Sequence, residues 1–324
     1  MQKLYMLKKF IQSLFTIFVV IIFNFFLFRV MPGNPLSTIM RNPNASEQAI
    51  EKIKKLFGID QPMYVQLYLY FKQLFHGDLG MSFMFKQPVI QVIGEKLFPT
   101  ILLVGVATIL AIVVGIYIGI VAASRRGQKI DVISLTLSLF TYSMPTFWLG
   151  IVLIIFLSVS LNLFPTSGMA TPGKVFSSSF GHMLDVAKHL FLPALTLSLV
   201  LVGQFVLIMR NSLLDVFTED YITTARAKGF SEKLVTRKHA VPNAMLPMVT
   251  IIAINIGFMI AGAIQIETVF SWPGLGRLMY EALNNRDYPL LQGIFLIVSI
   301  CVVLANFIAD IIYGFLDPRI KSST

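Results

Sequence analysis

Cysteine is all but absent from this chain: Cys301 is the only one, so no intrachain disulfide can form and no zinc site can rest on thiolates. It lies within the last apolar run, where its expected role is packing against lipid or a neighbouring helix. Histidine is scarce as well. His76, His182, His189 and His239 are scattered without an i, i+4 pair, which argues against a metal centre. No G-x-x-x-x-G-K-[ST] run occurs, so the backbone cradle and lysine that hold nucleotide phosphates are missing and the chain is not its own ATPase. The nearest glycine-rich piece, Pro273-Gly274-Leu275-Gly276-Arg277, lacks the third glycine of a dinucleotide fingerprint and reads as a turn. No serine occupies a G-x-S-x-G elbow, and the external acids Glu267 and Asp287 have no partner evident from spacing. These absences leave no legible active site.

Charge is sparse too. Only 13% of residues are charged against 56% hydrophobic, the balance of a chain largely solvated by lipid. The net charge of +10 does not point to nucleic acid, because the Lys and Arg sit in short segments beside apolar runs instead of forming a stripe on a soluble fold.

Long apolar runs are what the sequence has. A spanning helix needs about 20 mostly apolar residues, since each rises about 1.5 Å through a hydrocarbon layer about 30 Å thick. Six runs qualify, at 10–28, 97–123, 132–161, 190–209, 248–270 and 289–315. The first follows Lys3, Lys8 and Lys9 in the order of a secretory signal, but it is long enough to span. No small-residue cleavage site precedes Arg29 and the turn Met31-Pro32-Gly33-Asn34-Pro35, so a retained first helix is predicted. Pro145 interrupts the third run and predicts a kink there.

Between the first two runs the composition turns polar and helix punctuation appears. Asn44 with Glu47 fits a capping box, Ile50, Ile53 and Leu56 follow at helical spacing, and Gly58 ends the stretch. Pro62 opens a second, aromatic-rich helix that stops near Gly77. Exposed members such as Tyr64 and Tyr68 are candidates for docking a partner or shaping an outer mouth.

Six spans put both termini on one side. Segments 1–9, 124–131, 210–247 and 316–324 hold 14 Lys and Arg in 64 residues, whereas the opposite segments, nearly twice as long, hold 12. That asymmetry predicts cytoplasmic termini. Small residues recur every fourth position at Ala111, Gly115, Gly119 and Ala123, and again at Ala253, Gly257 and Ala261, which predicts close helix approach. Asn255, Asn306 and Asp310 are polar at membrane depth; Asp310, near the inner end, is expected to pair with a cytoplasmic Lys or Arg.

The strongest signal is the polar segment after the fourth run: Asp220-Tyr221-Ile222-Thr223-Thr224-Ala225-Arg226-Ala227-Lys228-Gly229, nine residues, then His239-Ala240-Val241-Pro242. Tyr221, Ala225 and Lys228 fall on one face of a short helix that Gly229 can end. This segment resembles the cytoplasmic EAA loop of ABC importer permeases, whose pattern is E-A-A, three residues, G, nine residues, I-x-L-P. Thr223-Thr224-Ala225 stands in place of E-A-A, and His239-Ala240-Val241-Pro242 in place of I-x-L-P. The T-A-R-A-K-G form at 224–229 and the H-A-x-x-N-A-x-L-P form at 239–247 resemble the dipeptide, oligopeptide and nickel permease branch, specifically its first, B-type permease. The likeness continues at Gly58-Ile59-Asp60-Gln61-Pro62, Gly77-Asp78-Leu79-Gly80, Pro145-Thr146-Phe147-Trp148, Phe270-Ser271-Trp272-Pro273-Gly274-Leu275-Gly276 and Leu316-Asp317-Pro318-Arg319.

The resemblance implies an all-α integral membrane protein with the six transmembrane helices of the type I ABC importer permease architecture and a partly helical external segment between helices 1 and 2. Its parts would be an N-terminus and first helix at 1–30, the external segment at 31–96, a core at 97–318 with the coupling loop at 210–247, and a cytoplasmic tail at 319–324. It implies a bacterial or archaeal cell membrane, a homologous second permease subunit, two cytoplasmic ABC ATPase subunits that bind the ATP and Mg, and an extracytoplasmic solute-binding protein. Tyr221, Thr224, Ala225, Arg226, Ala227, Lys228, Gly229, His239 and Pro242 would form the ATPase-coupling loop. Arg226 and Lys228 would pair with acids on the ATPase, and Ala225 and Ala227 would allow close approach. Peptides are the first expected cargo, with nickel chelates or oligosaccharides as alternatives. The rival from another class is an ion-driven secondary transporter, which would carry more intramembrane acids than Asp310 and would often show an internal repeat.

Overall fold

The computed structural model describes residues 2–30, 61–258 and 263–316, and every described regular element is helical. The capping box at Asn44 and Glu47, its helix and Gly58, and the tail at 319–324 lie outside the described residues. Helix α1, Gln2–Val30, carries the first run. Helix α2, Met63–Phe75, ends as the sequence predicts: Gly77 takes a left-handed φ of 71°, and the amides of Gly77 and Asp78 return to the carbonyls of Leu74 and Gln73. It leans on α1, with Phe71 stacked on Phe18 at 5.9 Å and Tyr70 against Phe25.

Helix α3, Val89–Ser124, begins eight residues before the predicted run and stops at the basic turn, where Gly127 has φ 78°. The third run does not kink at Pro145 but breaks. Helix α4, Lys129–Ser143, and helix α5, Thr146–Leu153, the latter continued by a π-helical stretch at Ile154–Ser160, meet at 102°. Proline forces the preceding Met144 into an extended conformation, ψ 135°, and supplies no amide to bridge the gap.

Helix α6, Ser179–Phe217, starts well before residue 190, capped by Ser178 Oγ accepting from the Gly181 amide at 3.1 Å. Its 39 residues reach about 58 Å, far beyond a hydrocarbon layer, so stretches expected as loops on both sides are helical. Helices α7, Asp220–Ala227, and α8, Glu232–Leu234, follow; a π-helical turn, Val235–Ala240, then runs straight into α9, Val241–Phe258. The fifth predicted run, 248–270, is not one helix. Ala263 is non-helical and opens a separate short helix α10, Ile264–Val269, before α11, Leu275–Asn284, and α12, Tyr288–Leu316. Among the described residues four helices are long and apolar enough to cross a membrane, five with the bent pair counted as one span.

The small-residue stripe on α3 packs as predicted. A Cβ on Gly115 would fall 2.5 Å from the Phe205 Cβ, and one on Gly119 2.7 Å from the Met209 Cβ, so α3 and α6 touch almost backbone to backbone. The packing of the matching repeat, Ala253, Gly257 and Ala261, lies outside the described residues. Asn255 satisfies itself by donating to the Ile251 carbonyl at 2.8 Å, and Asp310 pairs with Lys9 at 2.9 Å as expected.

Candidate functional site

The loop between α6 and α9 is a built platform. Asp220 in the first turn of α7 and Arg226 in its last both suit the helix dipole. Gly229 takes φ 81°; its amide donates to the Arg226 carbonyl at 2.9 Å and the Phe230 amide to the Ala225 carbonyl at 3.4 Å, so the helix end is closed by two bonds around a left-handed residue. Nothing lies within 4 Å of where a Gly229 Cβ would stand, so glycine is required there for its backbone and not for space.

Ile222 and Ala225 seat α7. Both are buried in one cluster with Met209 and Leu213 of α6, Val235 and Ala240 of the π-turn, and Ala244 and Met248 of α9. This corrects one expectation. Ala225 does not offer close approach to a partner, because it is spent on the chain's own core. The buried stripe centres between Ile222 and Ala225, so Tyr221 and Lys228, on the same face as Ala225 but at the margin of the stripe, are exposed, Tyr221 at 42%. Partial burial, aided by the charge of Glu219, pushes the Tyr221 phenol pKa up from its ordinary value.

Arg226 is already engaged. Its Nε lies 2.9 Å and its Nη2 3.3 Å from the Glu232 carboxylate, and its guanidinium sits 5.7 Å from the Phe217 ring, so it braces α7 against α8 instead of reaching outward. Thr224, Ala227, Lys228, Gly229, Phe230 and Pro242 are exposed. His239 is half-buried, its ring parallel to that of the exposed Phe230 at 5.8 Å, while Asn243 donates to the His239 carbonyl at 2.8 Å. The histidine, alanine and asparagine of the H-A-x-x-N-A form are thus local scaffolding: Ala240 and Ala244 are fully buried and Asn243 holds the turn. Lys228, Lys233, Arg237 and Lys238 remain as an exposed basic rim with no carboxylate at ion-pair distance among the described residues, a surface complementary to acidic groups.

Sequence reasoning missed a second constellation, around Glu267 and Asp287. Glu267 is fully buried, accepts from Thr100 Oγ1 at 2.8 Å and the Arg277 amide at 3.0 Å, and so sits at the N-terminus of α11. Gly274 has no room for a Cβ because that carboxylate fills it, Gly276 has none because the Ile264 backbone lies against it, and Trp272 Nε1 donates to the Pro99 carbonyl at 2.8 Å. The glycine pair, read as a mere turn, was the available signal. Asp287 accepts from Ser82 Oγ, the Met84 amide and the Leu290 amide, fastening residues 82–84 to the start of α12.

Against known proteins, residues 115–322 match the model for the binding-protein-dependent transport system inner membrane component, and residues 1–104 match the N-terminal model of the same kind of component. The glutathione transport system permease protein GsiC of Escherichia coli is 36% identical over 98% of this chain and 98% of its own length. The dipeptide transport system permease protein DppB of Escherichia coli is 38% identical, covering 90% of this chain and 91% of its own. The oligopeptide transport system permease protein AppB of Bacillus subtilis is 37% identical over 98% and 99%. Among solved structures, an inward-facing form of the MetNI methionine ABC transporter aligns with TM-score 0.55 at 18% identity, covering 70% of this chain and 97% of that one, a likeness of fold.

Proposed function

The chain belongs to the binding-protein-dependent transport system inner membrane component family, and from that premise we propose that it is the permease subunit of an ATP-driven importer of di- or oligopeptides, lining half of the pathway. It is a transport subunit and not an enzyme; ATP and Mg belong to partner ATPases. The observation that carries the reading is the α7 platform: a short helix, seated by Ile222 and Ala225, closed by Gly229 and joined by a tight turn at 228–231 to α8, which runs on through the π-turn into α9. A rigid, exposed helix end rooted in a span is what an ATPase must grip if nucleotide-driven closure is to move helices as bodies.

In this reading two ATPase subunits sit on the loop side, with Lys228 and Lys238 of the basic rim meeting acidic groups. A homologous permease completes the pathway, and a solute-binding protein delivers cargo from outside, where the exposed Tyr64 and Tyr68 of α2 offer docking surface. The chain resides in the cell membrane with both termini cytoplasmic. Glutathione, dipeptide and oligopeptide in the relatives' names favour peptide cargo over nickel chelates or oligosaccharides. The test is the assembled importer in proteoliposomes carrying Gly229→Asp. The permease should remain in the membrane while binding-protein-dependent peptide uptake is lost; normal ATPase retention with normal uptake removes the loop from the mechanism.

A further inference from the structure

A cavity of about 1020 Å³ opens beside the platform, where the ends of α3 and α6 meet α8 and the π-turn. Its polar end collects Arg125 and Arg126 from the turn after α3, Arg226, and Lys233 and Arg237 from the loop; the one carboxylate among the lining residues is Glu232. Glu232 is taken by Arg226 in a two-bond pair, and the other four cations have no carboxylate at ion-pair distance among the described residues. Asp131, one turn away, is held by Arg210. Asp131 offsets the excess only at Arg126, whose charge it feels, so the cavity still concentrates positive charge.

Its other end is apolar. Tyr117 and Ile120 of α3 form that wall, and the wall continues along the helix as an exposed stripe: Ile109 at 61%, Val113 at 63% and Tyr117 at 70% exposure, each four residues from the next. From Val113 to Arg125 the helix rises about 18 Å, close to the ~15 Å hydrocarbon half-thickness plus the start of the headgroup layer. A basic pocket at one membrane face, open sideways onto an apolar stripe one leaflet deep, has the shape of a phosphodiester headgroup with its acyl chains attached.

We propose that this cavity is a binding site for an anionic phospholipid, its phosphate held by Arg125, Arg126, Lys233 and Arg237 and its chains laid along Tyr117 and Val113. The shared chemistry is a phosphate oxyanion, which a free phosphate also offers; the stripe assigns the lipid. The site does not depend on the cargo. Because α8 and the π-turn form one of its walls, a bound headgroup would tie the loop's position to the composition of the adjacent leaflet.

The test is native mass spectrometry of the purified full-length chain exchanged with phosphatidylglycerol or phosphatidylcholine at equal concentration. Phosphatidylglycerol should be retained over phosphatidylcholine, and Arg125→Gln and Arg237→Gln should each weaken that retention about fivefold, the loss of one cation near a membrane surface. Glu232→Gln, which frees Arg226, should strengthen it. Phosphatidylcholine retention should be the same in every variant, which reports an intact fold. Equal retention of the two lipids, or charge variants without effect, overturns the proposal. Displacement of phosphatidylglycerol by millimolar inorganic phosphate reassigns the site to a free anion and also overturns it. So does loss of the lipid when ATPase subunits bind, because the cavity would then belong to their contact.

Discussion

Arg210 of α6 grips Asp131 of α4 with two hydrogen bonds, Nε to Oδ1 at 2.6 Å and Nη2 to Oδ2 at 2.9 Å, and so pins the start of the bent pair to the longest helix. The Gly127 amide donates to the same carboxylate at 2.9 Å, which fixes the basic turn as well. Both side chains are largely buried, at 3% and 14% exposure. Removing one partner strands the other charge.

Asp131→Ala or Arg210→Ala should therefore each destabilise the fold by about 3 kcal/mol. The double substitution should cost less than the sum, because no lone charge is left behind. Thermal unfolding of the purified protein in detergent reads both; additive losses would mean the pair is not coupled.

The glycines of α3 differ by neighbour. Gly119 faces Met209 with no space for a methyl group, whereas nothing lies within 4 Å of a Cβ at the exposed Gly94. Gly119→Ala should lower stability by about 1–3 kcal/mol through overpacking. Gly94→Ala should be neutral or stabilising by up to about 1 kcal/mol, from helix propensity alone. Matching shifts in melting temperature at the two sites would contradict the packing of α3 on α6.

Much of this was legible in the sequence, and the reasons are local. Gly77 and Gly229 announced their helix ends because only a residue without a Cβ takes a left-handed conformation freely, and Ala111 to Ala123 announced a packed face because the spacing is that of the helix. Lys9 and Asp310 were foreseeable as a pair from their shared end of the spans. What depended on distant partners was not legible. Arg226 looks free until Glu232 folds back onto it, and Glu267 looks unpartnered until Thr100, 167 residues earlier in the chain, arrives beside it. Pro145 showed that something would happen but not how much, since the 102° bend is set by what the two halves pack against.

Orientation can be read with cysteines. In a Cys301→Ser background, a cysteine at exposed Ser178 should react with an impermeant maleimide applied to intact cells, and one at exposed Ser231 should react only after lysis. The reverse pattern would invert the topology.

Asp310 separates the two classes of transporter. Its pair with Lys9 is partly exposed, at 40% and 30%, so Asp310→Asn should cost less than about 1 kcal/mol. Uptake driven by ATP in reconstituted vesicles should survive both this substitution and a protonophore. Uptake abolished by either would favour ion coupling.

The π-turn at Val235–Ala240 has a mechanical consequence. From Glu232 to Phe258 the chain is helical without interruption, a rod of about 40 Å in which the Val241 amide reaches back five residues to Thr236. Its point of compliance inside α9 is Pro247, which has no amide to close its turn, so a push entering at Glu232 is carried stiffly as far as that proline and can bend the helix there. The wide turn holds one residue more than an α-helical turn would. Deleting one residue from Val235–Ala240 would close it as an α-helical turn that sweeps nearly the same angle, so the platform would keep its bearing. The extra residue is slack in the length of the chain and not in the direction of the loop, like a link taken from a belt that leaves its pulleys facing as before.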